Sequence, residues 1–406
     1  MTTPDVVLLV PENDVADPEL SILVPALNEE ITISLFVDWC KQGLAAAGIA
    51  GEVLIIDSST DRTPELALEH GARVLKVPKR GLGRAYIDAI PHVRGRYVLM
   101  GDADCTYDFR EIGGFVERFR SGYEFIMGSR FRGSIEDGAM PALHRYFGTP
   151  LTTWILNVMY RTRFTDIHCG MRGVLLESLK RMVLTSQSWE YASEMVLKSV
   201  HLGLRTTEVP VRFLKDPVGR VSHHARAGWT SPWKAGWINL KAMFVFGADF
   251  FFTVPGLLMF GLGAIPLFLL SFGPIEIREV TFSLNSMLLS LFVTVLGLQL
   301  FLFGIVAQSI YDATGAIRRR WLQLFNYDRV FVVSGAIFLV GAILVGRFVA
   351  RFIGASYQME DILIGLNHQA ILGLFLIVAS LLIFGSMLVI HAINLYIQVP
   401  GNSGKP

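Results

Sequence analysis

Short apolar runs and helical patterns alternate along the first half of the chain. Leu20–Ala26 (LSILVPA) is rich in β-formers, and its strand pattern ends at Pro25. From Asn28-Glu29-Glu30 a helical pattern runs to Ala47. Gly51–Asp57 (GEVLIID) predicts a second strand, and Ser58-Ser59-Thr60-Asp61 after it suits a turn and a helix N-cap. Arg73–Val77 and Arg96–Met100 predict two more strands, with a helix over Gly83–Pro91 between them. Strand and helix alternating over short connections predict an α/β domain with a mostly parallel, doubly wound sheet. Ligands of such sheets bind beyond the carboxyl ends of the strands, where Asn28, Asp57 and Asp102 stand. Phe125–Ser129 and Thr206–Leu214 read as further strands, and Thr149–Tyr160 and Ser188–Leu202 as helices.

The second half reads differently. Four long apolar segments, 244–272, 284–310, 330–352 and 370–399, each reach the ~20 residues needed to cross a bilayer. They predict an all-α membrane domain of four transmembrane helices over 243–400, with a tail at 401–406. Arg318, Arg319, Arg320 and Arg329 lie between the second and third segments, whereas the flanking links carry Glu276, Glu279, Glu360 and Asp361. The positive-inside rule therefore puts the arginine loop, both termini and the N-terminal domain on the cytoplasmic side. Trp229, Trp233 and Trp237 recur every fourth residue, with Lys234 and Lys241 nearby, predicting an interfacial amphipathic helix over 226–242. Residues 1–19 are expected to be an extension before a catalytic domain at 20–225. Its apolar patch, Val6–Val10, lacks the basic flank of a signal peptide.

Composition agrees with a two-part chain. Of 406 residues, 52% are hydrophobic and only 17% charged, less charge than a soluble chain of this length normally carries. A net charge of +1, without a basic groove or tail, gives no electrostatic case for nucleic acid. Cys40, Cys105 and Cys169 are odd in number and widely spaced. Reduced thiols are expected rather than disulfides or a zinc site.

The chemistry centres on Asp102-Ala103-Asp104 directly after a strand. Two carboxylates at this spacing suit a divalent metal shared with a diphosphate, because Mg²⁺ is commonly held by one or two carboxylates plus substrate phosphates. A DxD pair alone is more often a solvated turn; the preceding βαβαβ pattern reverses that. Gly81 and Gly83 lie in a basic turn opening a helix, where glycine permits close backbone approach and the helix N-terminus favours anions.

As an ordered set, the motifs VPALNEE (Val24–Glu30), Asp57-Ser58-Ser59-Thr60-Asp61, Arg80–Ala85, Asp102–Asp104, Gly128-Ser129-Arg130 and Asp166–Arg172 resemble the family-2 glycosyltransferases of GT-A fold. They are most similar to the polyprenol- or dolichol-phosphate sugar synthase branch, of the dolichol-phosphate mannose synthase type. The resemblance covers 20–222 and implies a GT-A nucleotide-sugar-binding domain. It also implies transfer of one sugar, with inversion, from a nucleotide diphosphate sugar to a polyprenyl or dolichyl phosphate at the cytoplasmic membrane face.

By this resemblance Pro25, Leu27, Glu29, Asp57, Gly81, Gly83, Asp102 and Ala103 hold the nucleotide. Asp102 and Asp104 bind Mg²⁺ or Mn²⁺, with Thr106 or Asp108 as a further oxygen ligand. Asp102, Asp104, Arg130 and Glu194 form the implied catalytic set, with Glu194 in a positioning role. Arg130, Arg172, Arg212 and Arg220 are candidates for the acceptor phosphate, since guanidinium forks suit it; Lys215 and His223-His224 lie nearby. The family usually carries Asp-Asp-Gly-Ser where this chain has Asp57-Ser58-Ser59. Base and sugar therefore stay open between GDP-mannose and a UDP-hexose. Relatives assemble through their membrane parts, so a homo-oligomer is compatible.

Two other readings compete. A processive polysaccharide synthase would carry Gln-x-x-Arg-Trp, but Ile317 stands three before Arg320-Trp321. A catalytically inactive lipid-handling membrane protein would not need the acidic pair.

Overall fold

The two best-marked apolar runs become strands over the stretches that predict them, β2 at Leu20–Ala26 and β3 at Gly51–Asp57. Both are buried almost end to end, as parallel strands covered on two faces must be. The structure, a computed structural model, describes residues 5–160, 162–220, 237, 241, 247–312, 315–354 and 364–398. The chain divides into two compact units, Met1–Met243 and Phe244–Pro406.

In the first unit, β1 (Val7–Leu9), β4 (Arg73–Lys76), β5 (Tyr97–Met100), β6 (Phe125–Ile135), β7 (Arg172–Leu175) and β8 (Thr206–Phe213) complete an eight-stranded sheet. Its order is β1-β4-β3-β2-β5-β7-β6-β8. The β4-β3-β2-β5 block is parallel, as the alternating pattern predicts. The chain then inserts β7 antiparallel between β5 and β6, and β1 pairs antiparallel with β4 at the edge. Neither β1 nor β7 is anticipated from pattern. Each is three or four residues long and gains its conformation from its neighbours.

Seven helices accompany these strands among the described residues: α1 (Ile33–Ala46), α2 (Thr63–Glu69), α3 (Leu82–Ala89), α4 (Gly113–Arg120), α5 (Thr149–Tyr160), α6 (Leu176–Met182) and α7 (Tyr191–His201). Helix α1 buries Ile33, Phe36, Val37, Cys40 and Leu44, the 3–4 residue spacing of one apolar face.

In the second unit, four helices are long and apolar enough to cross a membrane: Asp249–Leu270, Leu284–Ile310, Tyr327–Gly354 and Leu366–Tyr396. Glycines set the closest approaches. A Cβ on Gly256 would sit 2.4 Å from the Phe301 nitrogen, and one on Gly341 2.7 Å from the Gly373 carbonyl. Small residues are how apolar helices approach when hydrophobicity does not drive them together. Two elements were not foreseen. A hairpin of β9 (Ile275–Ile277) and β10 (Val280–Phe282) links the first two spans. The arginine loop contains a helix, Ala316–Leu324, whose Trp321 Nε1 donates to Gln308 at 3.1 Å. Of the expected interfacial helix at 226–242, all but Trp237 and Lys241 lies outside the described residues; the two stack as cation and ring at 5.9 Å.

At the amino ends of the strands a buried polar knot ties the sheet together. Glu52 of β3 accepts from Ser21 Oγ of β2 (2.6 Å), Arg73 Nη1 of β4 (2.7 Å), and Arg94 N and Nε (3.0 and 2.7 Å) ahead of β5. Burial works to raise its pKa, but these donors prevail and hold the carboxyl below its ordinary range. Glu52→Gln is predicted to cost about 3 kcal/mol, since Arg73 and Arg94 lose their buried counter-charge and keep only the more exposed Asp14, and to lower the first unit's melting transition measurably. A lowered carboxyl pKa contributes stability above the unfolded value of about 4.3, lost as pH falls through the folded value. Thermal scans against pH should therefore show wild type converging on the variant only in acid. Equal melting at pH 7 would contradict the knot's role.

Candidate active site

The carboxyl ends of β3, β2 and β5 lie side by side and carry the site. Asn28, just past β2, has a left-handed backbone (φ 55°), a conformation asparagine tolerates better than most residues. Its N–H donates to Ser59 Oγ (2.8 Å) and its Oδ1 accepts from Thr60 N (2.9 Å), closing the turn after β3 onto the turn after β2. Asp57 ends β3. Its Oδ1 accepts from Ser59 N at 3.2 Å, while its Oδ2 is buried with no hydrogen-bond partner among the described residues. Burial pushes this carboxyl's pKa up. An orphaned buried acceptor needs a donor from elsewhere, and a nucleobase N–H has the right chemistry. Pro25 and Leu27 are half-buried beside it.

Asp102-Ala103-Asp104 follows β5. Ala103 is buried and its carbonyl accepts from Thr32 Oγ1 at 3.0 Å. Cys105 takes a left-handed φ of 57°, so the chain turns sharply at the second carboxylate. Asp104 Oδ1 accepts from Thr106 N and Oγ1 at 2.9 and 2.6 Å. Thr106 thus braces Asp104. Asp108, the other candidate for a third ligand, has its carboxylate engaged by Arg110 (2.7 Å to each oxygen) and Arg212 (3.3 Å).

Asp102 takes no hydrogen bond from a described residue. Burial and the Asp104 charge push its pKa up to about 7, against the opposing pull of Arg172, Arg220 and Arg130. Asp104 is also raised by burial, although Arg220 and Thr106 oppose this. Gly170 is required opposite, because a Cβ there would lie 2.5 Å from Asp102 Oδ2.

The three arginines that act on Asp102 are each held differently. Arg130 forks onto Asp166, Nε at 2.7 Å and Nη2 at 2.8 Å, leaving Nη1 without a hydrogen bond among the described residues. Arg172, fully buried, donates to the carbonyls of Cys169 (2.9 Å), Ala192 and Ile167 (3.1 Å). Arg220 forks onto Glu29 at 2.7 and 2.8 Å and lies 3.5 Å from Asp104 Oδ2. Glu29 is thus engaged by Arg220 and by Thr32 Oγ1 (3.2 Å).

Two predicted groups stand apart from this cluster. Arg212 is directed to Asp108 and Glu111. Glu194, fully buried, accepts from Thr185 N (2.9 Å), Thr185 Oγ1 (2.8 Å), Ser186 N (2.9 Å) and Lys198 Nζ (2.6 Å). It shapes the segment on which the glycine turn packs: Cβ atoms on Gly81 and Gly83 would each lie 2.2 Å from the carbonyls of Gln187 and Ser186. His223 and His224 lie outside the described residues, and Lys215 donates its N–H to Glu136 (2.9 Å).

Motif reading missed Asp166 as the partner of Arg130. It also missed Tyr107, whose hydroxyl accepts from Gly170 N at 2.9 Å, and Tyr86, which donates to the Gly101 carbonyl at 3.1 Å. Their partners are distant in sequence and share no periodicity with them.

Among the described residues no three Asp, Glu, His or Cys side chains make a metal cage. The donor set is a half-buried carboxylate pair, destabilised by like charge, with oxygens available on Asp102. That chemistry fits Mg²⁺ or Mn²⁺, which accept two protein carboxylates and complete their shell with phosphate and water.

Comparisons with known proteins bear on this geometry. The family model described as glycosyl transferase family 2 matches residues 21–183. The low-salt glycan biosynthesis hexosyltransferase Agl6 of Haloferax volcanii is 32% identical over 391 residues, 95% of this chain and 91% of that one. The dolichyl-phosphate hexose transferase of the same organism is 27% identical over 198 residues, 48% of this chain and 82% of that one. Among solved structures, mannosyl-3-phosphoglycerate synthase from Rubrobacter xylanophilus matches with a TM-score of 0.45 at 20% identity, over 55% of this chain and 72% of that one. With one third of its residues shared with a hexosyltransferase along nearly its whole length, and with the acidic pair at the end of β5, the chain is a glycosyltransferase belonging to family 2.

Proposed function

We propose that this glycosyltransferase moves a single hexose from a nucleotide diphosphate sugar, a UDP-hexose or GDP-mannose, onto a polyprenyl or dolichyl phosphate, working from the cytoplasmic face of the membrane. The observation that carries the reading is the half-buried Asp102–Asp104 pair after β5, with the Asp57 oxygen two strands away at the same end of the sheet, in a chain with four helices apolar enough to span a bilayer. The relative named dolichyl-phosphate hexose transferase supports a lipid phosphate as acceptor.

In this mechanism Asp57 receives the base, with Pro25 and Leu27 against it. Asp104 and Asp102 would hold the divalent cation, which screens the diphosphate charge developing as the glycosidic bond breaks. Arg130 offers its remaining Nη1 donors to the acceptor phosphate, while Asp166 fixes the plane of the fork. Arg172 keeps positive potential beneath Asp102 with its hydrogen bonds given to carbonyls, so it acts through charge rather than contact. A phosphate monoester is already anionic near neutral pH and needs no general base, which agrees with Glu194 being committed to Lys198. The lipid phosphate oxygen attacks the anomeric carbon opposite the leaving diphosphate, and one displacement inverts the centre. Positioning and electrostatics supply most of the rate.

Two outcomes are expected. Purified protein given polyprenyl phosphate, Mg²⁺ and labelled nucleotide sugars should yield a labelled lipid extractable into organic solvent. Asp104→Ala should lower the rate about 10²–10³-fold, as loss of one electrostatic stabiliser does; label in a long water-soluble polymer would overturn the monophosphosugar reading. For topology, the three native cysteines are buried, so introduced ones report cleanly. A membrane-impermeant maleimide should label Thr281→Cys in the hairpin on intact cells, and Gln323→Cys in the arginine helix only after permeabilisation. The reverse pattern would contradict the cytoplasmic assignment.

A further inference from the structure

Arg220 has a placement that phosphate binding does not require. It closes a turn after β8, Asp216-Pro217-Val218-Gly219-Arg220, in which Arg220 N donates to the Pro217 carbonyl at 3.1 Å and Gly219 adopts φ 88°. Val218 at the turn's tip is fully exposed, whereas the Arg220 side chain is only 3% exposed. Its guanidinium reaches three carboxylates: Glu29 through Nε and Nη2, Asp104 through Nη2, and Asp216 through Nη1. Before the turn the backbone is anchored by Leu214 N to the Thr106 carbonyl (2.8 Å) and Lys215 N to Glu136 (2.9 Å). Within 216–220, Arg220 makes the only hydrogen bonds to the rest of the unit among the described residues.

A fixed guanidinium and a divalent cation cannot both approach one carboxylate oxygen without strong repulsion in a buried site. Arg220 already divides its one positive charge between Glu29, at 2.7 Å, and Asp104, at 3.5 Å. It also carries a carboxylate of its own, Asp216, four residues earlier on the same turn, so the two side chains can leave together as a nearly neutral pair, which costs less desolvation than moving a lone charge. A nucleoside diphosphate offers the freed guanidinium an alternative bidentate anion.

We propose that Arg220 is a tethered counter-ion that competes with the divalent cation for Asp104, so that the empty enzyme binds the metal weakly and donor binding tightens it by drawing Arg220 away. This rests on Asp104 being a metal-binding group, as proposed above.

The test is Mn²⁺ binding to the full-length protein in detergent, read from the electron paramagnetic resonance signal of the free ion. Without nucleotide, Arg220→Met should bind Mn²⁺ about tenfold more tightly than wild type, and Arg220→Lys, which keeps the charge, should stay near wild type. Added UDP or GDP should raise Mn²⁺ affinity in wild type by a larger factor than in Arg220→Met. Unchanged or weaker Mn²⁺ binding by Arg220→Met, with Asp104→Asn still weakening it, would overturn the proposal. If Asp104→Asn has no effect on Mn²⁺ binding, the cation site itself has been assigned wrongly, a separate failure. A second measurement leaves Arg220 in place. A nitroxide on Val218→Cys should become more mobile when Mg²⁺ and nucleotide are added, and unchanged mobility would count against release of the turn.

Discussion

Negative charge crowded into a half-buried cleft at the ends of β2 and β5 is the constraint on which the site depends. Asp102 and Asp104 sit together where burial raises the pKa of each, with the buried Glu29 nearby and joined to Asp104 through Arg220. Buried like charges are tolerated only when cations are built around them. The surrounding architecture supplies them: β7 brings Arg172 towards Asp102, β6 brings Arg130, held by Asp166 from the segment before β7, and the turn after β8 brings Arg220. The excess of acid that remains, together with the open oxygens of Asp102, is what makes the cleft receptive to a divalent cation carried with a diphosphate.

The same constraint explains why β7 is inserted between β5 and β6 rather than left as a loop. Pairing Met100 with Arg172 sets Gly170 close against Asp102, and the buried guanidinium is then satisfied by three carbonyls from two segments. The Glu52 knot plays the complementary role at the far ends of the strands. There a single buried carboxylate is over-supplied with donors, and the result is rigidity; at the carboxyl ends acids outnumber the donors given to them, and the result is a site that wants a ligand.

Much of this was legible from residue order. Parallel strands buried on both faces announce themselves as unbroken apolar runs, so β2, β3 and the strand-end positions of Asp57 and Asp102 follow from pattern, as do the four long apolar helices. What escaped depended on contacts remote in sequence. The four residues of β7 carry no period of their own. The helix at Ala316–Leu324 owes its position to Trp321 meeting Gln308. Arg130 and Asp166 are 36 residues apart, and Arg220 and Glu29 are 191 apart. The arginines named as phosphate candidates also engage carboxylates and carbonyls remote in sequence, and the buried ones, Arg130, Arg172 and Arg220, need such partners to stay out of water.

Anomalous scattering from crystals grown with Mn²⁺ and a nucleoside diphosphate would show whether the acid pair after β5 receives a divalent cation together with the donor's diphosphate. One manganese peak is expected about 2.1 Å from an Asp104 oxygen, next to the diphosphate, with the Asp102 carboxylate facing it. A manganese peak bound away from both side chains, with nucleotide present in the cleft, would contradict that placement.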